Sequence, residues 1–532
     1  MTTKLARALL ILAALCWCGC GSSGGNDPDA GGDAGGGDGG ADAGLGCTVG
    51  LPQAVEGALW ANPEVYPVIP LHIEVAGQAV LVDVATGATP VYAQDNGDGT
   101  WTADVSIAAM ADGTYPVEVT ATCGDGATAT ASAELGIGTE GVQLTFFDDV
   151  GTATTPRIHR RGAELWVTWV ARYDGLREAW MQRIDGAGRW IGDRIPLTDN
   201  AEDTFYARTA LGADAVGVLY QEPGQPYDNM LRLVDYDGNE VLAPRELNPP
   251  GWVGRPRGDI THDGSGFIAV YRVGEATGIS EIHWLRVDEQ TLEVTGPVVV
   301  AESGDGTPIG SFDPYGYIKV AALDDVSLVS FMRGRYDPNL DIEVPKAQLT
   351  LVQADGTVAL AEYAGVMTDF TFHWETRVSR IGDELVAYWA LDDLMDPSND
   401  PPTLFYGTRT DGAGLLDPGR GRGELMLSAP FDRADPFLLA HPWHPAVLAW
   451  TDLRSYELDP LNGRIELFVA PVDEALAVGE HVVFPHARFF MGSSQLNAVL
   501  AGSNVLLLWK DERHGNGLMD PRPEVWFETA WY

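Results

Sequence analysis

Apolar residues in this chain fall in short runs separated by turns rich in Gly, Asp and Pro, and runs that favour helix are few. Seven of the runs end in an aromatic residue: ELWVTW at Trp169, AVGVLY at Tyr220, FIAVY at Tyr271, VSLVSF at Phe331, ELVAYW at Trp389, AVLAW at Trp450 and VLLLW at Trp509. Successive ends lie 51, 51, 60, 58, 61 and 59 residues apart. Each run is preceded by a short strand (RIH, ART, DIT, YIKVA, TRVS, FLLA, LNAVL) and followed across a hairpin by another (EAWMQRI, MLRLVDY, EIHWLRV, AQLTLVQ, TLFYGTR, IELFVAP, EVWFETAW). Turns such as DGAG (185–188), DYDGN (235–239) and ADGT (354–357) then lead to a fourth strand, such as IPLT (195–198) or PVVVA (297–301).

Four antiparallel strands repeated seven times predict a β-propeller over residues 141–532, with six or eight blades left open. The last unit reaches Tyr532 without a fourth strand, while the segment VQLTFF (142–147) stands unassigned before the first. It is expected to complete the last blade and remove an open sheet edge. Segments such as REAWMQRIDGAG (177–188) and EIHWLRVD (281–288) resemble repeats of large bacterial surface propellers, a likeness that implies fold rather than function.

Residues 47–140 carry a second set of short strands: LHIEV (71–75), AVLVDV (79–84), VYA (91–93), WTADVSI (101–107) and TYPVEVTATC (114–123). Regular spacing of this kind predicts a small sandwich, so the whole fold class is all-β. The DNGDGTW turn at 95–101 resembles that of bacterial Ig-like modules. It is not a full calcium hand, because Ser106 stands where the closing Glu is needed.

The N-terminus reads as an address. Lys4 and Arg7 precede an apolar stretch at 8–18 that is too short to span a bilayer. The run Trp17-Cys18-Gly19-Cys20 resembles a bacterial lipoprotein signal, which implies a signal peptide over 1–19, lipidation of Cys20 and a membrane anchor. In that family Gly21, in place of Asp, implies the outer membrane or cell surface. An ordinary secretory signal with free release is the alternative. Residues 20–46 are almost wholly Gly, Asp and Ala and read as an unfolded tether. Two cysteines then remain, Cys47 and Cys123, an even number suited to one disulfide outside the cytosol.

Composition narrows the partners. The chain has 33 Lys+Arg against 76 Asp+Glu, a formal net charge of -43, which excludes nucleic acid and favours a soluble monomer. Against that background one position stands out. Twelve residues before each aromatic strand end lie Arg157, Arg208, Asp259, Lys319, Arg377, Leu438 and Asn497. Four are basic, and the inner strand of a blade borders the central channel. They are candidates to hold a carboxylate, a sulfate or an acidic sugar; salt bridges to hairpin aspartates are the structural alternative. Trp252 and Trp374 are candidates to stack on sugars, or to plug the space between blades.

The later hairpins contain Asp-Pro at Asp337, Asp396, Asp459 and Asp520, read either as turn formers or as calcium ligands. No other cofactor is expected. Catalytic signatures are weak: GxSxG, HExxH, a nucleotide loop and the Asp-box of sialidases are all absent. The close pair His441 and His444 falls in a turn on the opposite face. The expectation is a noncatalytic surface lipoprotein that binds protein or glycan through its propeller face. The alternatives are a secreted propeller hydrolase or lyase acting on polysaccharide, and a structural envelope component.

Overall fold

The computed structural model describes residues 46–87, 90–145, 154–173, 175–224, 227–274, 280–302, 318–337, 342–363, 371–393, 404–410, 423–425, 433–452, 466–474, 478–484, 496–511 and 524–532. Cys20, the tether, and the hairpin aspartates Asp396, Asp459 and Asp520 lie outside them, as does the side chain of Asp337.

The described residues form no helix. Two sheets are built from residues 48–137, and both bury alternate side chains. The first orders Thr48–Gly50, Val68–Ala76, Thr100–Ser106 and Gln94–Asp95; the second orders Ala58–Ala61, Thr128–Ile137, Gly113–Cys123, Ala79–Ala85 and Pro90–Tyr92. Ile69, Leu71, Ile73 and Trp101 of the first share one core with Val82, Val117, Val119 and Leu135 of the second. Cys47, just before the first sheet, is disulfide-bonded to Cys123 at the end of a strand in the second, 76 residues away. Strands at Ala58–Ala61 and Thr128–Ile137 were not expected, because Ala, Ser and Gly dilute the β-branched signal there.

The rest of the described chain is a β-propeller of seven four-stranded sheets. The innermost strands are Thr154–Arg161, Tyr206–Leu211, Val253–His262, Lys319–Leu323, Thr371–Ile381, Arg433–Leu439 and Asn497–Ala501. Each packs beside the innermost strand of the next sheet, and the seventh packs beside the first, so the sheets close a ring. Blade seven is completed by Val142–Gln143, whose residues pair with Phe527 and Trp526 of the final strand Glu524–Ala530. The closing strand is thus the expected segment, shorter among the described residues than the run 142–147.

The aromatic strand ends form the hydrophobic core. Trp169, Tyr220, Tyr271, Phe331, Trp389, Trp450 and Trp509 are all at most 2% exposed, and they pack blade against blade. The Asp-Gly turns do what their chemistry predicts: the Asp185 carboxylate accepts from the backbone of Ala187 and Arg189, and that of Asp235 from Asp237 and Asn239.

The sandwich sits on the propeller face that carries the hairpins between first and second strands. Its core runs without a break into blades six and seven, through Val447, Leu467, Leu507 and Trp531. Polar contacts fix the seam. Gln53 Nε2 donates to Asn504 Oδ1 at 2.9 Å and Ser503 Oγ at 3.0 Å, and Trp531 Nε1 donates to the Trp60 carbonyl at 3.0 Å. Arg183 pairs with Glu56, and Arg189 with Glu134 at 2.6 Å.

Candidate functional site: a cationic channel

The seven innermost strands enclose a channel of ≈ 650 Å³. Its mouth is set by backbone register. Arg157 pairs with Thr168, Arg208 with Leu219, Asp259 with Val270, Lys319 with Ser330, Arg377 with Tyr388 and Asn497 with Leu508. In these six blades the partner immediately precedes the aromatic strand end, so the side chains occupy one level. Blade six departs from this register. There Phe437 pairs with Ala449, the neighbour of Trp450, whereas Leu438 pairs with Leu448. The equivalent position is therefore Phe437 and not the expected Leu438, because the turn around His441 is longer than those of the other blades and shifts the register by one residue.

The channel is far more basic than the chain. Among the described residues that line it are the cations Arg157, Arg160, Lys319, Arg377 and Arg380, and one carboxylate, Asp259. Asp259 is 5% exposed. Its Oδ1 is ion-paired with Arg157, and its Oδ2 accepts from the Val320 backbone N–H at 3.4 Å. Burial would raise the Asp259 pKa, but Arg157, Lys319 and Arg208 outweigh it and hold the carboxyl below its usual range. The partner of Arg157 is thus another member of the ring, two blades away, rather than a hairpin aspartate.

Arg157 is also tied to blade two, where its Nη1 donates to the Thr209 carbonyl at 3.1 Å. The same threonine's Oγ1 meets His159 Nε2 at 2.8 Å and Thr168 Oγ1 at 2.7 Å. Burial and the nearby Arg157 push His159 down to about 3, so its ring is neutral. Arg208 lies outside the channel lining; its guanidinium stacks over Tyr206 at 4.6 Å, and Tyr206 Oη donates to the Gly258 carbonyl. Lys319 lines the channel, is 7% exposed and has no hydrogen-bond or ion-pair partner among the described residues. Burial drives its pKa well below the usual lysine range; Asp259 opposes this, while Arg377, Arg208 and Arg157 add to it.

The other expected site residues fall elsewhere. Trp252 is half-buried against the core shared by blades two and three, where it packs as a plug away from the channel. Trp374 belongs to the strand Thr371–Ile381, with its side chain outside the described residues. The Asp337 backbone closes a hairpin opposite Ile342. No group of three or more His, Cys, Asp or Glu side chains among the described residues is placed to hold a metal ion. His441 and His444 lie in the turn between the first two strands of blade six, against the sandwich.

Sequence spacing locates Arg157, Arg208, Lys319 and Arg377. It does not reveal the role of Asp259, which was visible only as an exception in a row of cations.

No protein-family model matches the chain, and no curated protein does. Several solved structures are similar to it at low identity. A protein of unknown function from Dyadobacter fermentans is 12% identical, with 74% of this chain and 99% of that chain covered and a TM-score of 0.41. An α-L-arabinanase from Penicillium chrysogenum is 10% identical, covering 63% and 95%, with a TM-score of 0.41. The propeller domain of the Trilobed protease from Pyrococcus furiosus is 9% identical, covering 71% and 97%, with a TM-score of 0.38. Similarity at this level says nothing about what the present chain binds.

Proposed function

We propose that the channel binds an anionic, carboxylate-bearing ligand, and that its class is acidic polysaccharide. The observation that carries this is the charge inversion: among the described residues, four arginines, Lys319 and one carboxylate line the channel of a chain whose net charge is -43. Buried cations are costly unless something negative meets them. Asp259, the one carboxylate among the described lining residues, is held by Arg157, while the exposed Arg380 pairs with Asp324 outside the channel. The channel is therefore built to receive negative charge. An acidic exterior also deters polyanions from settling anywhere else on the surface.

In this reading the chain is an envelope protein anchored through a lipid on Cys20, and residues 47–140 form an Ig-like stalk. The sandwich covers the face opposite the cationic mouth, an arrangement that supports presenting that mouth outward. Calorimetric titration of the full chain with oligogalacturonate and with neutral cello-oligosaccharide tests it. Binding of the acidic sugar alone, weakened by salt and reduced at least about tenfold by Arg377→Ala, is expected. Equal binding of both sugars, or of neither, rejects the assignment.

A further inference from the structure

We propose that Lys319 is a proton-abstracting base, and that the channel cleaves uronate-containing polysaccharide by β-elimination. This rests on the anion-binding reading above and goes beyond it by naming a reaction.

Lys319 differs from its neighbours in kind. Arginines stay charged and can only hold an anion, whereas a lysine amine can lose its proton and act as a base. It opens the inner strand Lys319–Leu323 of blade four and faces Arg157 from blade one, Arg208 from blade two, Asp259 from blade three and Arg377 from blade five. His159 stands beside Arg157, but its Nε2 is occupied by Thr209. Lys319 is thus an amine with no hydrogen-bond partner among the described residues, more than nine-tenths buried, in the wall of the channel. Its depressed pKa gives it a lone pair at a pH where an exposed lysine has none.

Those neighbours suit elimination. A uronate has its carboxylate on C5, and the C5 proton becomes acidic once the carboxylate charge is neutralised. Arg377, which lines the same channel, is placed to supply that neutralisation near the amine. In the step, the Lys319 Nζ lone pair takes the C5 proton. The C5–H electron pair becomes the C4=C5 double bond, and the C4–O bond breaks with its pair on the glycosidic oxygen. The proton passes from Nζ to that oxygen, which leaves as a hydroxyl on the shortened chain. Lys319 ends neutral; no water, oxidant or metal enters the balance.

The test incubates the full chain with polygalacturonate, alginate and hyaluronan and follows the ultraviolet absorbance of the unsaturated uronate, with binding measured in parallel. Absorbance is expected to rise with at least one polymer, faster as pH climbs through the depressed pKa of Lys319. Lys319→Arg puts a fixed positive charge where the parent has a titratable amine; it should bind at least as tightly as the parent, within about threefold, but react at least about 100-fold more slowly. Binding without product overturns the elimination and leaves the anion site standing. Product formed by Lys319→Arg at the parental rate overturns the role of Lys319. Binding of none of the three polymers overturns both proposals.

Discussion

Asp259 of blade three is ion-paired with Arg157 of blade one across the mouth of the channel, spanning blade two between them. A bond that skips a blade ties three sheets into one polar unit. It also leaves Lys319 and Arg208, which face the same carboxylate, without a hydrogen-bonded anion of their own among the described residues.

Asp259→Asn should therefore have two opposite effects. Removing the one carboxylate that the described residues place in this cationic cluster is expected to destabilise the protein by about 3 kcal/mol or more. The same change makes the site more positive and should tighten oligogalacturonate binding several-fold. Thermal unfolding with and without the sugar checks both, because ligand should raise the melting temperature of the variant more than that of the parent.

The same pair sets an acid limit. The Asp259 pKa is depressed in the folded state, so its stabilisation is complete above the unfolded carboxylate value and is lost as pH falls through the folded one. Denaturant midpoints should therefore drop below about pH 4 in the parent. Asp259→Asn should remove part of that slope.

A second pH effect belongs to the seam between sandwich and propeller. His72 Nε2 meets the Tyr532 carbonyl at 3.0 Å, and its ring lies 3.9 Å from that of Trp443. His441 Nε2 meets the Ser503 carbonyl at 2.8 Å and stacks on His444. Burial, the largest cause, lowers the pKa of both His72 and His441. For a depressed histidine, stabilisation is complete above the ordinary histidine value of 6.5 and is lost as pH falls through the folded value. Hydrogen exchange at Trp443 and Tyr532 should accelerate below about pH 6 while blades two and three stay protected. Uniform acceleration across the ring would contradict this.

Gly186 is where the backbone of blade one touches the sandwich. Its N–H donates to the Val55 carbonyl at 3.1 Å, and a Cβ there would stand 2.2 Å from the Ala58 carbonyl oxygen. Because both partners are backbone, neither can swing aside. Gly186→Ala should cost about 1–3 kcal/mol. The change should appear as faster proteolysis between sandwich and propeller, with little effect on sugar binding at the far mouth.

Reduction of Cys47–Cys123 should act locally. The bond closes a loop of 76 residues, worth about 4 kcal/mol by chain-entropy reasoning. The sandwich is expected to unfold at lower denaturant on reduction. Separate transitions by near-ultraviolet circular dichroism would show it.

The blades were legible because one signal repeats seven times. An aromatic residue that ends the second strand of each blade must be buried between sheets, and its period gives the architecture directly. The cationic mouth was legible for the same reason, since a fixed offset from a fixed core position is a fixed level in the channel. That offset fails in blade six, where the turn holding His441 shifts the register and places Phe437 at the mouth. Pairing was less visible than placement. Nothing local distinguishes Asp259 as the partner of Arg157, because their proximity arises only when the ring closes. The seam was hidden in the same way: His72, Trp443 and Tyr532 are far apart in the chain and carry no shared pattern.

The closing strand gives the ring an order in time. Thr145 Oγ1 accepts from the Val525 backbone N–H across 380 residues of chain, and Val142 and Gln143 wait for Phe527 and Trp526. A chain made from its N-terminus carries one half of this latch while all the blades are synthesised. Until residues 524–532 emerge there is an arc with two raw edges, prone to pairing with a neighbour. The last stretch of the protein thus decides when the whole of it becomes safe from its own kind.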